Sequence, residues 1–408
     1  MQLTTQLTTN ELIINLGRTF RLSGPALLTF CIAAALHAQS FPSGSTGADG
    51  DLIVSTAGVT TFTATPVGGG NIYNFKTIQI ASGSTLRLSG SVFSTPLYFL
   101  AQGAVTVAGT IDLSGQAGVL PATSGQRTGP TTPGAGGYGG GSAAFGGNTA
   151  QAGLGPLGGA INAGACFSGT AGGGGGQSAT PFLIPLVGGS GGGGNAANGG
   201  AGGGALLIAS SVSITVTGTI TADGGLGTYT SSASSGGGAG GGIRLVAPLI
   251  AGNGTITAAG GQQTICTTAG SGAKGVVRLE SFNYTFTGNT GGNLYTASPV
   301  GLLLPAANTQ PILAVTSIGG VSVPASPTGS FTVPDVLLNS NSPLTVNIHA
   351  TNVPVGTVPT VRFATQNFPD QTITAPALAG TLASSTTTVT VTLNPGYSIG
   401  YVTATWVQ

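Results

Sequence analysis

The sequence predicts an all-β chain: a short right-handed parallel β-solenoid carrying glycine-rich inserts, followed by a C-terminal β-sandwich. Three observations predict it. A short apolar unit recurs as Leu97-Tyr-Phe-Leu-Ala…Gly109-Thr-Ile-Asp, Ala205-Leu-Leu-Ile-Ala…Gly218-Thr-Ile-Thr and Ile243-Arg-Leu-Val-Ala…Gly254-Thr-Ile-Thr, with a partial copy at Val277-Arg-Leu-Glu. A β-type unit that returns and cannot bury its own face alone marks a stack of repeats. Between the copies the sequence dissolves into glycine, which supplies 75 of the 408 residues. From about Pro311 glycine thins and short alternating runs take over.

Residues 1–38 read as a secretory signal peptide. Arg18 and Arg21 precede an apolar run from Ala26 to Leu36, which suits a signal core and is too short to span a bilayer. Small residues place cleavage after Ala38 or Ala35. No later apolar run is long enough for a membrane span, so none is expected in the mature chain.

Residues 39–288 form the predicted solenoid domain. Runs such as Tyr73-Asn-Phe-Lys-Thr-Ile-Gln-Ile, closed by Gly83, supply its first coils and a cap. In the repeated units Phe99, Leu207, Leu245 and Leu279 fall in one inward column, and Ile111, Ile220 and Ile256 in another. Arg244 and Arg278 share a column one position off the core. They are expected outside, near Glu280, because burying either without a partner costs several kcal/mol.

The large insert 116–204, with smaller ones at 223–242 and 260–275, suits either a flexible loop or packed extended strands of the polyglycine-II kind. The apolar segment Pro181–Val187 and the length of the insert favour packed strands. Residues 289–310, rich in Gly, Asn, Pro and Ala, read as a linker. In 311–408 the runs Ile312–Ile318, Ser330–Val333, Leu344–His349, Thr360–Ala364, Gln371–Thr374, Thr386–Leu393 and Tyr401–Trp406 are spaced as in a β-sandwich.

Composition excludes some functions. The chain has nine Lys and Arg, eight Asp and Glu, and a formal net charge of +1. Nucleic-acid binding, which relies on clustered cations, is excluded as a primary role. Beyond residue 38 there remain one histidine, His349, and two cysteines, Cys166 and Cys266. Export would permit a disulfide between these two, and Cys166–Cys266 is the candidate bridge.

No catalytic, cofactor or metal site emerges. Asp49 and Asp51, in Gly47-Ala-Asp-Gly-Asp51, resemble the opening of some carbohydrate-active β-helix proteins, but Leu52-Ile-Val departs from the pattern and a turn is the simpler reading. Asp112 and Asp223 each follow a Gly-Thr-Ile unit. Stacking could pair them as glycoside cleavage requires, although they stand at different offsets from their glycines. Threonines at 215/217, 219/221 and 255/257 could form ranks able to meet ice or a crystalline polysaccharide, and threonine is also an ordinary exposed strand residue. Tyr138, Phe145 and Tyr229 are candidate aromatic contacts.

Taken together, the Gly-Thr-Ile units, the glycine inserts and the closing β runs resemble secreted glycine-rich β-solenoid proteins of bacteria. The C-terminal runs resemble an immunoglobulin-like module. The glycine tracts are similar to polyglycine-II domains of some phage adhesins and bacterial surface proteins. The resemblance implies a non-catalytic structural or adhesive role, secreted or at the cell surface or in an extracellular matrix. A polysaccharide or other surface polymer, or self-association, would supply the partner. A carbohydrate-active β-helix enzyme, a polysaccharide lyase or hydrolase, is the alternative.

Overall fold

In the computed structural model, residues 40–120, 129–144, 149–161, 164–166, 169–229, 234–263, 270–305, 311–324, 327, 334–340, 342–365, 370–393 and 400–406 are described. All regular elements among them are strands. The expected signal peptide, 1–38, lies outside the described residues.

The chain opens with β1 (Gly50–Val54), β2 (Gly58–Thr61), β3 (Ile72–Ile80) and β4 (Ser84–Arg87). The Leu97 unit forms β5 (Leu97–Ala101), β6 (Val105–Val107) and β7 (Thr110–Asp112). In the large insert, β8 (Gly164–Cys166) and β9 (Gly169–Ala171) pair antiparallel. The Ala205 unit forms β10 (Ala205–Ser210), β11 (Ser213–Val216) and β12 (Thr219–Thr221). The Ile243 unit forms β13 (Gly242–Gly252) and β14 (Thr255–Thr257). Next come β15 (Val276–Phe286), β16 (Asn289–Gly291) and β17 (Asn293–Ala297), the last two inside the stretch expected as linker.

These units pair in parallel, as units with a shared apolar pattern should, but the pairing closes on itself. β3 bonds β5 through Ile72–Phe75 and β6 through Ile78–Ile80. β13 likewise bonds β10 through its first half and β11 through its second. With β5 beside β10 and β6 beside β11, the six strands form a closed parallel barrel. The expected right-handed solenoid is therefore corrected. The reason lies in strand length. β3 and β13 run unbroken, whereas the intervening units break at Gln102-Gly103 and Ser211-Val212, so each long strand serves two short ones. A second parallel sheet, β16-β14-β12-β7-β4-β2, faces the barrel strands across the main core.

Ile111, Ile220 and Ile256 stand in register and are fully buried, as their column predicts. The other column slips by one. Leu207 lies opposite Arg244, and Ile208 takes the place beside Leu245 and Phe99. All six residues of β10 are buried, so Leu207 packs in a second apolar layer with Tyr98, Leu100, Leu183, Leu186 and Val246.

The glycine inserts are ordered by their own backbone. Along 189–194 the amides of Gly189 and Gly192 donate to the carbonyls of Gly203 and Gly200. Those of Ser190 and Gly193 donate to Gly176 and Gly173, and those of Gly191 and Gly194 to Leu154 and Gln151. Each third residue addresses the same neighbour, which is the three-residue turn of a polyproline-II-type chain. Segments 199–204 and 236–241 repeat the rule. Gly200 and Gly203 donate to Gly236 and Ala239, and Gly238 and Gly241 to Gly225 and Ala222. Only glycine allows this approach. A methyl carbon on Gly236 would stand 1.8 Å from the Gly173 carbonyl oxygen, and one on Gly203 equally close to that of Ala222. Buried peptide groups thus find partners without a conventional sheet.

The C-terminal strands are β18 (Ile312–Ile318), β19 (Val321–Ser322), β20 (Leu344–Thr351), β21 (Thr360–Thr365), β22 (Gln371–Thr374), β23 (Ala379–Thr381), β24 (Ser384–Val391) and β25 (Gly400–Thr405). They pair antiparallel as a five-stranded sheet, β19-β18-β20-β24-β23, and a three-stranded sheet, β22-β21-β25. Val346, Ile348, Val361, Phe363, Val389 and Val391 fill the core between them. This replaces the expected immunoglobulin-like sandwich. β19 (Val-Ser) and β23 (Ala-Gly-Thr) are exposed edge strands too short for alternation to announce them. The expected run Ser330–Val333 lies outside the described residues.

Candidate functional site

The sheet β16-β14-β12-β7-β4-β2 turns one side chain inward and its two neighbours outward on each strand. Its outer face carries two ranks. In the first, Thr85, Thr110, Thr219 and Thr255 stand in register, bounded by Val59 and Asn289. In the second, Arg87, Asp112, Thr221 and Thr257 follow one another. Of the threonines singled out in the sequence, those at 219, 221, 255 and 257 join these ranks. Thr215 belongs to β11, and Thr217 lies in the following turn. Thr85 and Thr110 were missed because their strands read Ser-Thr-Leu-Arg and Thr-Ile-Asp rather than Thr-Ile-Thr.

The second rank is internally bonded. Arg87 Nη1 donates to Asp112 Oδ2 at 2.7 Å, and the Ser114 amide donates to Asp112 Oδ1 at 2.8 Å. The Ser114 hydroxyl is 3.0 Å from that of Thr221, and Thr257 Oγ1 lies 3.2 Å from Thr221 Oγ1 and 3.1 Å from Asp223 Oδ2. The Ala259 amide completes Asp223 through Oδ1 at 2.6 Å. Asp112 and Asp223 thus lie along one polar line, each holding neighbouring strands and turns. Asp49 accepts the amides of Val67 and Asn74, and Asp51 accepts the Thr77 hydroxyl, so both serve turns near the start of the barrel. Among the described residues no three His, Cys, Asp or Glu gather as a metal site.

One polar cluster forms where the sequence places it, but it is buried. Glu280, Arg244 and Arg278 lie side by side on the outer face of β13 and β15, expected in solvent, yet Glu280 is 0% exposed and Arg244 1%. The chain around Leu183 and Leu186, and that around Leu302 and Leu304, cover this face. Glu280 Oε1 accepts Arg244 Nε at 2.8 Å and Arg278 Nε at 2.7 Å, and Oε2 accepts the Val300 amide at 3.3 Å. Arg278 also lies over the Phe182 ring, 5.2 Å from its centroid. Burial by itself would raise the Glu280 carboxyl, but the two guanidinium groups outweigh it and hold the pKa below the usual value. The nearby Tyr98 phenol is pushed up to about 12 by burial, partly countered by Arg244.

Other candidates are scattered. His349 Nε2 lies 3.0 Å from the Ser384 hydroxyl on the outer face of β20. Tyr138 is half-buried, its phenol raised by desolvation, and Tyr229 is 46% exposed. Phe145 lies outside the described residues. So does the candidate disulfide: Cys266 is not described, and of Cys166 only the backbone in β8 is. A cleft of about 370 Å³ opens between Phe41, Pro42, Phe282, Val300, Leu302 and Leu304.

No helix among the described residues is long and apolar enough to cross a membrane. The chain matches no family model, no curated protein and no solved structure.

Proposed function

We propose that the chain is a secreted, non-catalytic structural or adhesive protein of a cell surface or extracellular matrix, which holds a neutral polymer such as a polysaccharide. The observation that carries the reading is the rank Thr85–Thr110–Thr219–Thr255, hydroxyl-bearing side chains repeated at strand spacing on an outward face. The carboxylates beside it are already bonded to Arg87, Ser114, Thr257 and Ala259, which supports binding rather than acid–base chemistry. Contacts made by hydroxyls and backbone carry little charge, so retention should weaken only slightly with salt.

The test incubates the full chain with a panel of plant and bacterial polysaccharides, measuring retention and product release together. Retention without cleavage, reduced when Thr110 and Thr219 become Val but unchanged in Asp112→Asn and Asp223→Asn, supports the proposal. Product release abolished by either Asn variant would overturn it in favour of a carbohydrate-active enzyme.

A further inference from the structure

Two inward columns of the parallel sheets stop abruptly, one at the second half of β15, beyond its pairing with β17, and one at β16. Leu52, Ile78, Val105, Ile214, Ile250 and Tyr284 form one such column. Its middle members are 0–1% exposed, yet Tyr284 is 42% exposed. Thr60, Leu86, Ile111, Ile220, Ile256 and Thr290 form the second, and here both ends, Thr60 and Thr290, are exposed. Phe282, Leu294 and Tyr295 add apolar exposure at the same end. Residues 282–297 carry neither a charge nor a proline, the usual defences of a sheet edge.

The hydrogen bonds at the two edges are complementary. The Asn289 amide donates to Gly254, and the Gly291 carbonyl accepts from Ala258. Alternation along a parallel strand then turns the N–H and C=O of Thr290 to the free edge. At the other edge, the amides of Gly58 and Phe62 donate to Gly83 and Arg87. The same alternation turns Val59 and Thr61 outward, leaving Thr60 bonded to its own sheet.

From these edges we infer that the β15–β16 end of one chain stacks on the β1–β2 end of a second copy. Thr290 falls opposite Thr60 of the next copy, its N–H reaching the Val59 carbonyl and its C=O the Thr61 amide. Tyr284 falls opposite Leu52, so both inward columns continue across the junction. The corners are compatible. Tyr284 to Thr290 is as short as Val105 to Ile111, and Leu52 to Thr60 as long as Ile78 to Leu86. The chain already stacks that short corner on that long one. The two surfaces differ, so the contact is head-to-tail and generates a filament rather than a closed dimer. This inference does not depend on the adhesive reading, since its evidence is the edges and not the threonine face.

The experiment is sedimentation velocity on the full chain over a wide concentration range. The expected result is a mass that climbs with concentration in steps of one chain. Thr290→Pro removes a donor at one end and Thr61→Pro a donor at the other, each outside the intrachain ladder. Each variant alone should remain a single chain, and an equimolar mixture should stop at two. If either proline lowers the melting temperature, Tyr284→Lys and Val59→Lys, both at exposed positions, take their place. A parent that stays monomeric throughout, variants that associate like the parent, or a mixture that fails to pair would each overturn the inference. Polymer retention by a monomeric parent would leave the adhesive reading standing alone.

Discussion

Replacing Gly236 by alanine tests the packing of the glycine segments directly. The new methyl carbon would lie 1.8 Å from the Gly173 carbonyl oxygen and 2.5 Å from its carbon, where ordinary contact begins near 3.4 Å. Neither neighbour is a side chain that can rotate away, so one segment must retreat by more than an ångström. That movement breaks the bond from the Gly236 amide to Gly193 and the bond from Gly200 to the Gly236 carbonyl, both 2.8 Å long. Each contributes about 1 kcal/mol net, and forced overpacking adds about 1–3 kcal/mol. The expected loss is about 3–5 kcal/mol, a large share of the roughly 5–15 kcal/mol that holds a typical domain. The assay is the guanidinium midpoint of the full chain, with Gly301→Ala as control because nothing lies within 4 Å of a methyl group there. The control should stay within about 0.5 kcal/mol of the parent. If the two variants unfold together, the glycine segments are not packed as described.

Glu280→Gln should cost about 3–5 kcal/mol, because Arg244 and Arg278 would keep buried charges without a counter-ion; a melting temperature equal to the parent's would refute the triad. The carboxyl's lowered pKa stabilises the fold fully above the unfolded glutamate value of about 4.3, and this is lost as pH falls through the folded value, so acid unfolding should come at higher pH in a chain lacking the pair. The phenols of Tyr73 and Tyr98 are both raised to about 12, by burial in each case, with Asp49 adding to the first and Arg244 opposing the second. Their contribution to stability is whole below about 10 and declines as pH rises towards 12, and ultraviolet titration should show these phenols ionising late and turning ordinary on unfolding.

The sequence made the all-β class legible, together with the parallel pairing of its repeats, because Gly-Thr-Ile recurs with one strict apolar position between polar ones. That pattern placed Ile111, Ile220 and Ile256 in register. It failed at Leu207, where Ala205–Ser210 is apolar throughout and buried on both sides, so no alternation fixes which residue points inward. Arg244 and Arg278 were assigned to solvent because nothing near them in sequence announces that the chain around Leu183 and Leu302 folds over their face. Barrel closure was illegible for a related reason. It depends on whether a break falls after Ala101 or Ala247, and the copies differ there by a few residues. The threonine rank was half legible, since Thr85 and Thr110 sit in strands whose other residues have diverged.

The glycine segments also shape how stability responds to temperature. Unfolding most domains exposes apolar surface, which raises the heat capacity, while exposed peptide groups lower it. Segments 189–194, 199–204 and 236–241 release almost nothing but peptide when they come apart. Their share of the heat-capacity change is therefore small or negative, and the stability curve of the chain is flatter than its size would suggest. A flat curve is lost slowly in either direction from its maximum. That breadth protects against cold as well as heat, and it comes from segments that are almost wholly glycine.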